Sequence, residues 1–500
     1  MLLQMKKSEF DFSVPNRQSY VAIVMILFKT VNIVVRQLFP ILVVILVGGS
    51  KQKGDYIIWF IVAVSTLTMV YSIINFFRTY FIVQNGELIL HTGIFSRKKI
   101  SIPFARIQTI NFEQNIIHQF FSVLRIKVDT AGSEKNEFEF HALETAKAYA
   151  LRDLVLAEKQ TLEPIQEVDI TGVPSFQPTF TKIMSLSPTD LLKVGLTENH
   201  IKSGGLIFLF FFWIYQNLQE VGVDVDEYSE EIPEWEMGLY TIIFLTTVLL
   251  IFSVIISLVR SVVKNYDLQF LRSSRGFKIV SGLFTKREVS ALDHKIQHIS
   301  WSDNLLKRWI GFKDLSLNQA SSTEISAKQN IRIPGCNTFH INEVVSTLFG
   351  KTDFEHFEMK GIDKRYFIRF SLIVGILILV VILGAYFIEQ LDKIVPALIV
   401  GIYFIVTRYI SYRKKSFGHN DELVFIKGGV FGDKAEVLPM YKIQALEIHQ
   451  SPYQRSHNVC SISLYTASGR IKIPYIPISE GRNISDTFIY KVESDKRKWM

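Results

Sequence analysis

Cysteine is nearly missing from this chain, which has only Cys336 and Cys460 in 500 residues. No CxxC pair or Cys/His cluster accompanies them, and this excludes a disulfide framework and the usual zinc sites. The motifs HExxH, GxSxG and GxxxxGKS/T, which mark metalloproteases, serine hydrolases and P-loop nucleotide-binding proteins, are absent as well. The sequence therefore predicts a protein that is not an enzyme and that uses no metal and no other cofactor.

Charge is also scarce, since 20% of the residues are charged whereas 48% are hydrophobic and the mean hydropathy is +0.23. The apolar residues collect in runs that approach the roughly 20 residues needed to cross a bilayer. Four of these runs carry no charge: 57–74, 239–259, 370–388 and 394–407. Two weaker runs are 31–47, which contains Arg36 and Pro40, and 206–218. We predict six membrane spans arranged in three pairs.

One pattern is present three times. The copies are GIFSRKKISIPFARIQTINF from Gly93, GLFTKREVSALDHKIQHISW from Gly282 and GVFGDKAEVLPMYKIQALEI from Gly429. Fifteen residues after its glycine each copy has a glutamine: Gln108, Gln297 and Gln444. Apolar and polar residues alternate on both sides of the glycine, which is typical of strands with one exposed face. Each copy is therefore predicted to be a small antiparallel β unit that turns at its glycine, with a structural role for the glutamine.

Helical patterns accompany the β units. Residues 137–160, and again the tail 479–500, have helical spacing, and such a helix can close the open end of a β barrel. The segment SPTDLL at 187–192 supplies a capping Ser187, a proline at the first helical position and an acid in the first turn. This combination predicts an interfacial helix from Pro188 that leads into the third span.

The charges beside the spans predict the orientation of the chain in the membrane. Lysine and arginine cluster where the chain leaves spans two, four and six and where it enters spans three and five, whereas the segment 220–236 between spans three and four has eight acids and no base. Under the positive-inside rule, both termini and all three β units face the cytoplasm.

Three β units of this pattern, each preceded by a pair of spans, resemble the bacterial pleckstrin-homology-like (PH-like) membrane proteins of the YdbS/YdbT group, and within it the three-unit members. The resemblance covers nearly the whole chain and rests on the Gly-Ile/Leu/Val-Phe turn, the Arg/Lys-Ile-Gln strand start and the SPTDLL segment. It implies a PH-like fold of two orthogonal antiparallel sheets with a C-terminal capping helix. It also implies a smaller two-span, single-unit PH-like partner (YdbS-like), and a role at the cell envelope that includes tolerance of membrane-active antimicrobial peptides.

The predicted architecture is a membrane α-helical bundle of six spans with three cytoplasmic all-β PH-like domains, each with a capping helix. The predicted segments are an N-terminal segment with transmembrane pair 1 (1–78), PH-like domain 1 (79–160), a connector with the interfacial helix (161–205), transmembrane pair 2 (206–260), PH-like domain 2 (261–350), a connector (351–366), transmembrane pair 3 (367–410) and PH-like domain 3 with the C-terminal helix (411–500).

Basic residues of the β units are the candidate lipid- or partner-binding residues. Some follow the turn directly: Arg97, Lys98, Lys99, Lys286, Arg287 and Lys434. Others recur two residues before the glutamine in every copy: Arg106, Lys295 and Lys442. A base held near an anionic membrane surface can contribute ~1 kcal/mol of attraction, but the same residues could equally be solvated strand ends. His294 and His298, four apart in a predicted strand, are interpreted as structural or surface residues and not as metal ligands.

Three functions remain open. The first is a non-enzymatic scaffold whose PH-like units bind partner proteins or one another, acting in envelope defence. The second is a sensor of anionic lipid headgroups. The third is an exporter of a peptide or small molecule, which the lack of ionisable residues in the clear spans disfavours. Nucleic acid is not an expected partner, because no platform of aromatic and basic residues appears.

Overall fold

The structure is a computed structural model that describes residues 10–25, 32, 51–94, 97–130, 138–162, 180–198, 200, 204–205, 209, 239–320, 331–350, 357–390, 394–495 and 497. The chain forms two compact units. Unit 1 comprises Met1–Gln177, Leu186–Leu268 and Val280–Ser290. Unit 2 comprises Pro178–Ser185, Gln269–Ile279 and Ala291–Met500.

The first repeat follows a long helix. Its elements, with that helix first, are α1 (Lys51–Arg78), β1 (Tyr80–Gln84), β2 (Glu87–Thr92), β3 (Lys98–Pro103), β4 (Ile107–Asn115), α2 (Ile116–Phe120), β5 (Val123–Thr130), β6 (Phe138–Glu144) and α3 (Thr145–Leu162). Asn85 and Gly86 join β1 to β2 with φ angles of 53° and 73°, which is the backbone that a two-residue Asn-Gly hairpin turn requires.

The second repeat follows a connecting segment with its own strand and helices. The elements are β7 (Thr181–Ser185), α4 (Pro188–Leu196), α5 (Leu239–Asn265), β8 (Gln269–Ser273), β9 (Gly276–Ser281), β10 (Thr285–Leu292), β11 (Ile296–Ser302), α6 (Leu305–Ile310), β12 (Lys313–Gln319), β13 (Ile331–Cys336) and α7 (Thr338–Phe349). The Asp190 amide donates to Ser187 Oγ at 3.1 Å at the start of α4. The helix predicted from the SPTDLL segment is therefore confirmed, with its cap.

The third repeat follows two long helices. The elements are β14 (Lys360–Gly361), α8 (Arg365–Phe387), α9 (Ile394–Lys414), β15 (Ser416–His419), β16 (Leu423–Gly428), β17 (Lys434–Pro439), β18 (Ala445–His449), α10 (Pro452–Ser456), β19 (Val459–Thr466), β20 (Gly469–Pro477) and α11 (Ile478–Ser494). Helices α3, α7 and α11 each follow the last strand of a repeat, as predicted for capping helices.

The repeat glycines have the backbone that the sequence predicted. The φ angles are +107° at Gly93, +113° at Gly282 and +120° at Gly429, a region that side-chain-bearing residues rarely adopt. A Cβ atom at Gly282 would lie 2.0 Å from the carbonyl oxygen of Thr285, and one at Gly429 would lie 2.2 Å from that of Gly432. Only glycine fits this turn.

Unit 1 buries its core between two sheets and a helix. One sheet has the order β1-β2-β3, and strands β6-β5-β4 continue onto β10 in the other. Phe81, Phe104 and Phe140 are fully buried between them, and Leu151 and Val155 of α3 pack onto the same cluster. Each such side chain contributes roughly 1.5–3 kcal/mol by leaving water. This burial explains why α3 closes the unit.

Unit 2 repeats the arrangement. Strands β13-β12-β11-β17-β16-β15-β14 form one sheet, and β18-β19-β20 form another. Phe417, Ile462 and Phe488 are buried in the core that α11 closes. A smaller cluster around Phe425 and Val437 covers the region where β11 lies beside β17.

Three helices within the described part of the chain are long and apolar enough to cross a membrane. They are Thr246–Asn265, Arg365–Phe387 and Ile394–Lys414, with mean hydropathies of 2.2, 2.8 and 1.8. The predicted run 57–74 lies within α1. The predicted spans 31–47 and 206–218 fall, apart from residues 32 and 209, outside the described residues, as does the acidic segment 220–236.

One element differs from the prediction. The segment 137–160 was expected to be helical throughout, but Phe138–Glu144 is strand β6 and the helix begins at Thr145. The strand forms because Phe140 and Ala142 alternate with polar residues and are fully buried beside β5. The first β unit is therefore longer than predicted.

Candidate functional site

Strand β10 of the second repeat pairs antiparallel with β4 of the first repeat inside unit 1. The register places Thr285 opposite Asn115, Arg287 opposite Glu113 and Glu288 opposite Phe112. The amide of Ser290 extends the contact by donating to Asn111 Oδ1 at 3.3 Å. Two repeats are thus joined by the backbone of one continuous sheet.

The same junction occurs a second time in unit 2. Strand β17 of the third repeat pairs antiparallel with β11 of the second, with Lys434 opposite Ser302 and Val437 opposite Ile299. When the repeats are aligned on their glycines, Lys434 occupies the position of Arg287, and Ser302 that of Glu113. Both junctions therefore use the same strands in the same register, so the pairing is a property of the repeat.

Opposite charges stabilise the first junction. Glu113 lies 2.9 Å from Lys127 Nζ and 3.7 Å from Arg125 on its own sheet, and it faces Arg287 across the junction. Burial raises the pKa of the Glu113 carboxyl, but the hydrogen bond from Lys127 and the charges of Lys127, Arg287 and Arg125 outweigh it, so the pKa lies below its usual value. Glu113 is therefore ionised at neutral pH.

In the first and second repeats, a short helix reaches the turn of the next repeat. Gln119 on α2 donates to the carbonyl oxygens of Leu283 and Phe284, both at 3.3 Å. Arg308, at the aligned position on α6, pairs with Asp433 in the next turn and lies 3.2 Å from Asp303. Each junction therefore has two parts, a strand pair and a helix-to-turn contact.

These short helices carry exposed apolar side chains at the ends of the candidate spans. Phe120 is 82% exposed, and the aligned Trp309 is 88% exposed. The Leu283 amide beside α2 donates to the carbonyl of Val263 in the span of α5, and Phe431 beside α6 stacks on Tyr403 of α9. Sequence reasoning missed this surface, although the capping residues before each short helix, Asn115 and Asn304, could have located it. Aromatic residues at this level are typical of a membrane interface.

Most of the predicted basic residues lie on the surface, on or beside the strands that follow the turn. The exposed members are Arg97, Lys98, Lys99, Arg106, Lys286, Arg287 and Lys434. Two of them lie near carboxylates, since Arg287 is opposite Glu113 in the strand register and Lys434 Nζ lies 2.5 Å from Glu436. Arg97, Lys98 and Lys99 form one continuous basic segment at the start of β3.

Lys295 and Lys442 are not surface residues, and their prediction as binding residues needs correction. They are 5% and 1% exposed. Lys442 Nζ donates to the carbonyl oxygen of His294, so it links the third repeat to the second. Burial lowers the pKa of Lys442 to about 8. Lys442 is buried where the start of its strand meets the second repeat at His294.

The recurrent glutamines occupy different environments. Gln297 is fully buried and donates to the carbonyl of Lys295 at 3.4 Å, whereas Gln444 is exposed. The side chain of Gln108 lies outside the described part of the structure. Gln297 is buried because β17 lies beside its strand, and Gln444 belongs to the last repeat.

His298 and the cysteines are buried in the β units. His298 Nδ1 lies 3.0 Å from Ser468 Oγ, and burial lowers the pKa of His298 to about 4, so the ring is neutral. Burial also raises the pKa of Cys336, and it raises that of Cys460 to about 11. Both are therefore unreactive thiols at neutral pH. Within the described ranges no three His, Cys, Asp or Glu residues come together as a metal site would require.

A cleft of about 1080 Å³ lies inside unit 2, beside the second junction. Its walls include Trp301, Phe339 and Phe425 together with four lysines: Lys313, Lys414, Lys427 and Lys434. Lys414 is paired with Asp433 at 3.1 Å, and Lys427 Nζ lies 5.0 Å above the ring of Phe425. The cleft thus combines apolar and aromatic walls with ammonium groups from β12, β16, β17 and the end of helix α9, and its lining also includes the carboxylates of Asp303, Glu343 and Asp433.

Comparison with known proteins is consistent with this architecture. Residues 28–159, 220–351 and 374–491 each match the family described as "Bacterial PH domain". The chain is also similar to the UPF0699 transmembrane protein YdbT of Bacillus subtilis (strain 168), with 22% identity over 434 residues that cover 83% of each chain. The resemblance drawn from the glycine turns is therefore confirmed. With three family domains and candidate membrane-spanning helices beside them, the chain belongs to the bacterial PH domain family and is similar to the transmembrane protein YdbT.

Proposed function

We propose that this protein is a non-enzymatic integral membrane scaffold whose PH-like domains bind one another and partner proteins through their strand edges. The observation that carries the proposal is the pairing of β4 with β10 and of β11 with β17 in one register. An added strand gains affinity from main-chain hydrogen bonds and specificity from its side chains. A chain that uses this contact twice internally is suited to making it with other proteins.

The scaffold would sit in the bacterial cytoplasmic membrane with six spans. In this proposal, both termini and all three PH-like domains face the cytoplasm. The bases at the span ends, among them Arg78, Lys264, Lys364 and Lys414, support this orientation under the positive-inside rule. A role in envelope defence, and a smaller two-span YdbS-like partner, rest on the resemblance to the YdbS/YdbT group.

Purification tests the scaffold proposal directly. The tagged protein is extracted from native membranes in a mild detergent, and the proteins that co-purify are quantified by mass spectrometry, with an unrelated tagged membrane protein as the control. We expect a second membrane protein in a fixed ratio, carrying one copy of the same repeat. If no protein co-purifies in a fixed ratio and the chain runs as a lone monomer, the proposal is wrong.

Sensing of anionic lipids is the second candidate, and the lysine-lined cleft in unit 2 favours it. Each ammonium near the membrane surface could add ~1 kcal/mol of attraction for an anionic headgroup. The test is native mass spectrometry of the purified protein after exposure to phosphatidylglycerol or phosphatidylcholine. If the protein retains phosphatidylglycerol preferentially and Lys427→Glu abolishes that preference, the result would support the cleft as the lipid-binding site. Unchanged lipid retention in a folded K427E variant, and likewise in a charge reversal of Arg97, Lys98 and Lys99, would exclude lipid sensing by these groups.

A further inference from the structure

Strand β3 is the outermost strand of its sheet. Its aligned strands in the later repeats, β10 and β17, each pair with a strand of the preceding repeat. In contrast, β3 pairs only with β2 in the described part of the chain, where the sheet order is β1-β2-β3. The later repeats use this strand edge to pair with the repeat before them. In the first repeat the same edge has no strand beside it in the described part of the chain.

The exposure of β3 agrees with an open edge. Lys99 and Ser101 are exposed, whereas the aligned residues on β17, Ala435 and Val437, are 7% and 0% exposed beside β11. An unpaired edge offers its backbone groups to any other strand, and lysines on such an edge suppress indiscriminate pairing. The lysines of β3 therefore limit which strands can pair with its outer edge.

The first junction indicates which charge the added strand should carry. Lys98 aligns with Arg287, and the strand paired with Arg287 supplies Glu113 at the facing position. Opposite charges that face each other across a strand pair are favourable, and like charges are unfavourable. A strand with a carboxylate at the position of Glu113 would match β3.

We propose that the outer edge of β3 is a docking site for an acidic β-strand of a separate protein chain. The strand pairs antiparallel to β3 in the register of the internal junctions and places a carboxylate opposite Lys98. The inference rests on the proposed scaffold function and names the edge and the chemistry of the partner that it takes.

A second copy of this chain fits the edge poorly. Its candidate strand is β18, which aligns with β4 and β11 and is outermost in its own sheet. The common register would place His449 opposite Lys98. In the second junction Arg308 binds Asp433. Arg455 aligns with Arg308, and Arg97 aligns with Asp433, so the same register would bring Arg455 beside Arg97. A favourable ion pair would become a contact between two arginines, so charge favours a different, acidic partner.

Photo-crosslinking in native membranes tests the site. The full-length protein carries p-benzoylphenylalanine in place of Ser101, with the same substitution at exposed Thr487 on α11 as the control. We expect a crosslink at position 101 only, and a crosslinked peptide that maps to a strand with Asp or Glu. The double change Lys98→Glu and Lys99→Glu should lower the yield about tenfold, and a carboxylate-to-lysine change in the mapped strand should restore it.

Matched variants separate this site from folding and from the scaffold function. Arg470→Glu with Lys472→Glu makes the same charge change on exposed residues of β20 and should leave the crosslink yield unchanged. A crosslink that maps to β18 of a second copy, or a yield that the K98E/K99E change does not lower, would overturn the proposal. If position 101 gives no crosslink while a protein still co-purifies in a fixed ratio, the edge proposal fails and the scaffold proposal stands.

Discussion

Arg287 lies directly opposite Glu113 in the strand pair that joins the first two repeats. The carboxylate also contacts Lys127 and Arg125, so it has basic neighbours on both sides of the junction. The arrangement is local to the first junction, because Lys434 and Ser302 occupy the same positions in the second. Charge pairing therefore adds to a contact that the backbone already makes.

We predict that Arg287→Glu destabilises unit 1 by about 1 kcal/mol, since it replaces a favourable cross-strand pair with two facing carboxylates. Lys286→Glu is the matched control, because it makes the same charge change opposite the neutral Gln114. Thermal unfolding of the detergent-solubilised protein should show a Tm lower by about 2 °C for R287E than for K286E. When Glu113→Gln is added to both variants, their Tm values should become equal. Equal Tm values for R287E and K286E in the presence of Glu113 would show that the Arg287–Glu113 pair contributes nothing to stability.

A second prediction concerns a buried ion pair in the second repeat. Lys307 Nζ lies 2.6 Å from Asp314 Oδ2, and both side chains are buried. The aligned pair in the third repeat is neutral, with Gln454 Nε2 donating to Ser461 Oγ at 2.8 Å. Lys307→Gln alone should destabilise unit 2 by about 2 kcal/mol, because Asp314 loses its buried cationic partner and keeps only the half-exposed Arg332.

The double change Lys307→Gln with Asp314→Ser introduces the neutral glutamine–serine pair of the third repeat. It should recover most of the lost free energy of unfolding, which chemical denaturation of the purified protein can measure. Arg332, which also contacts Asp314, has a half-exposed side chain and can return to water. If the double variant is as unstable as the single one, the fit around this site is specific to the charged pair.

The repeat, its turns and its helices could be predicted from the sequence because their causes are local. Gly282 needs a positive φ, Ser187 caps the helix that follows it, and alternating residues identify strands. The junctions could not be predicted in this way, because Glu113 and Arg287 are far apart in sequence and neither has a local signal for pairing. The burial of Lys442 was missed for the same reason, since its covering residues belong to another repeat.

The pH dependence of stability should report on His298. Its pKa in the folded protein is lowered to about 4, chiefly by burial, with Glu436 raising it and Lys434 lowering it to smaller extents. Between about pH 6.5 and pH 4 the unfolded chain therefore binds a proton that the folded chain does not, so stability falls as the pH falls through this range.

The loss for His298 amounts to up to roughly 3 kcal/mol. Scanning fluorimetry from pH 7.5 to pH 4.5 should show a steeper fall in Tm for the natural protein than for His298→Asn, which keeps a polar atom towards Ser468 without titrating. Parallel curves for the two proteins would mean that His298 is not the group that responds.

The exposed side chains of α2 and α6 should lie in the membrane interface. Phe120 is 82% exposed in a helix whose neighbouring turn hydrogen-bonds to the span of α5, and burying such a side chain in the acyl boundary would offset the cost of leaving it in water.

A nitroxide can be placed selectively by Phe120→Cys, since the buried Cys336 and Cys460 have raised pKa values and resist labelling. In reconstituted vesicles we expect electron paramagnetic resonance relaxation at position 120 to be enhanced more by oxygen, which partitions into lipid, than by a water-soluble nickel chelate. A label at exposed Thr487→Cys should respond in the opposite order. If position 120 behaves like position 487, these aromatic side chains face water and are available to a protein partner instead.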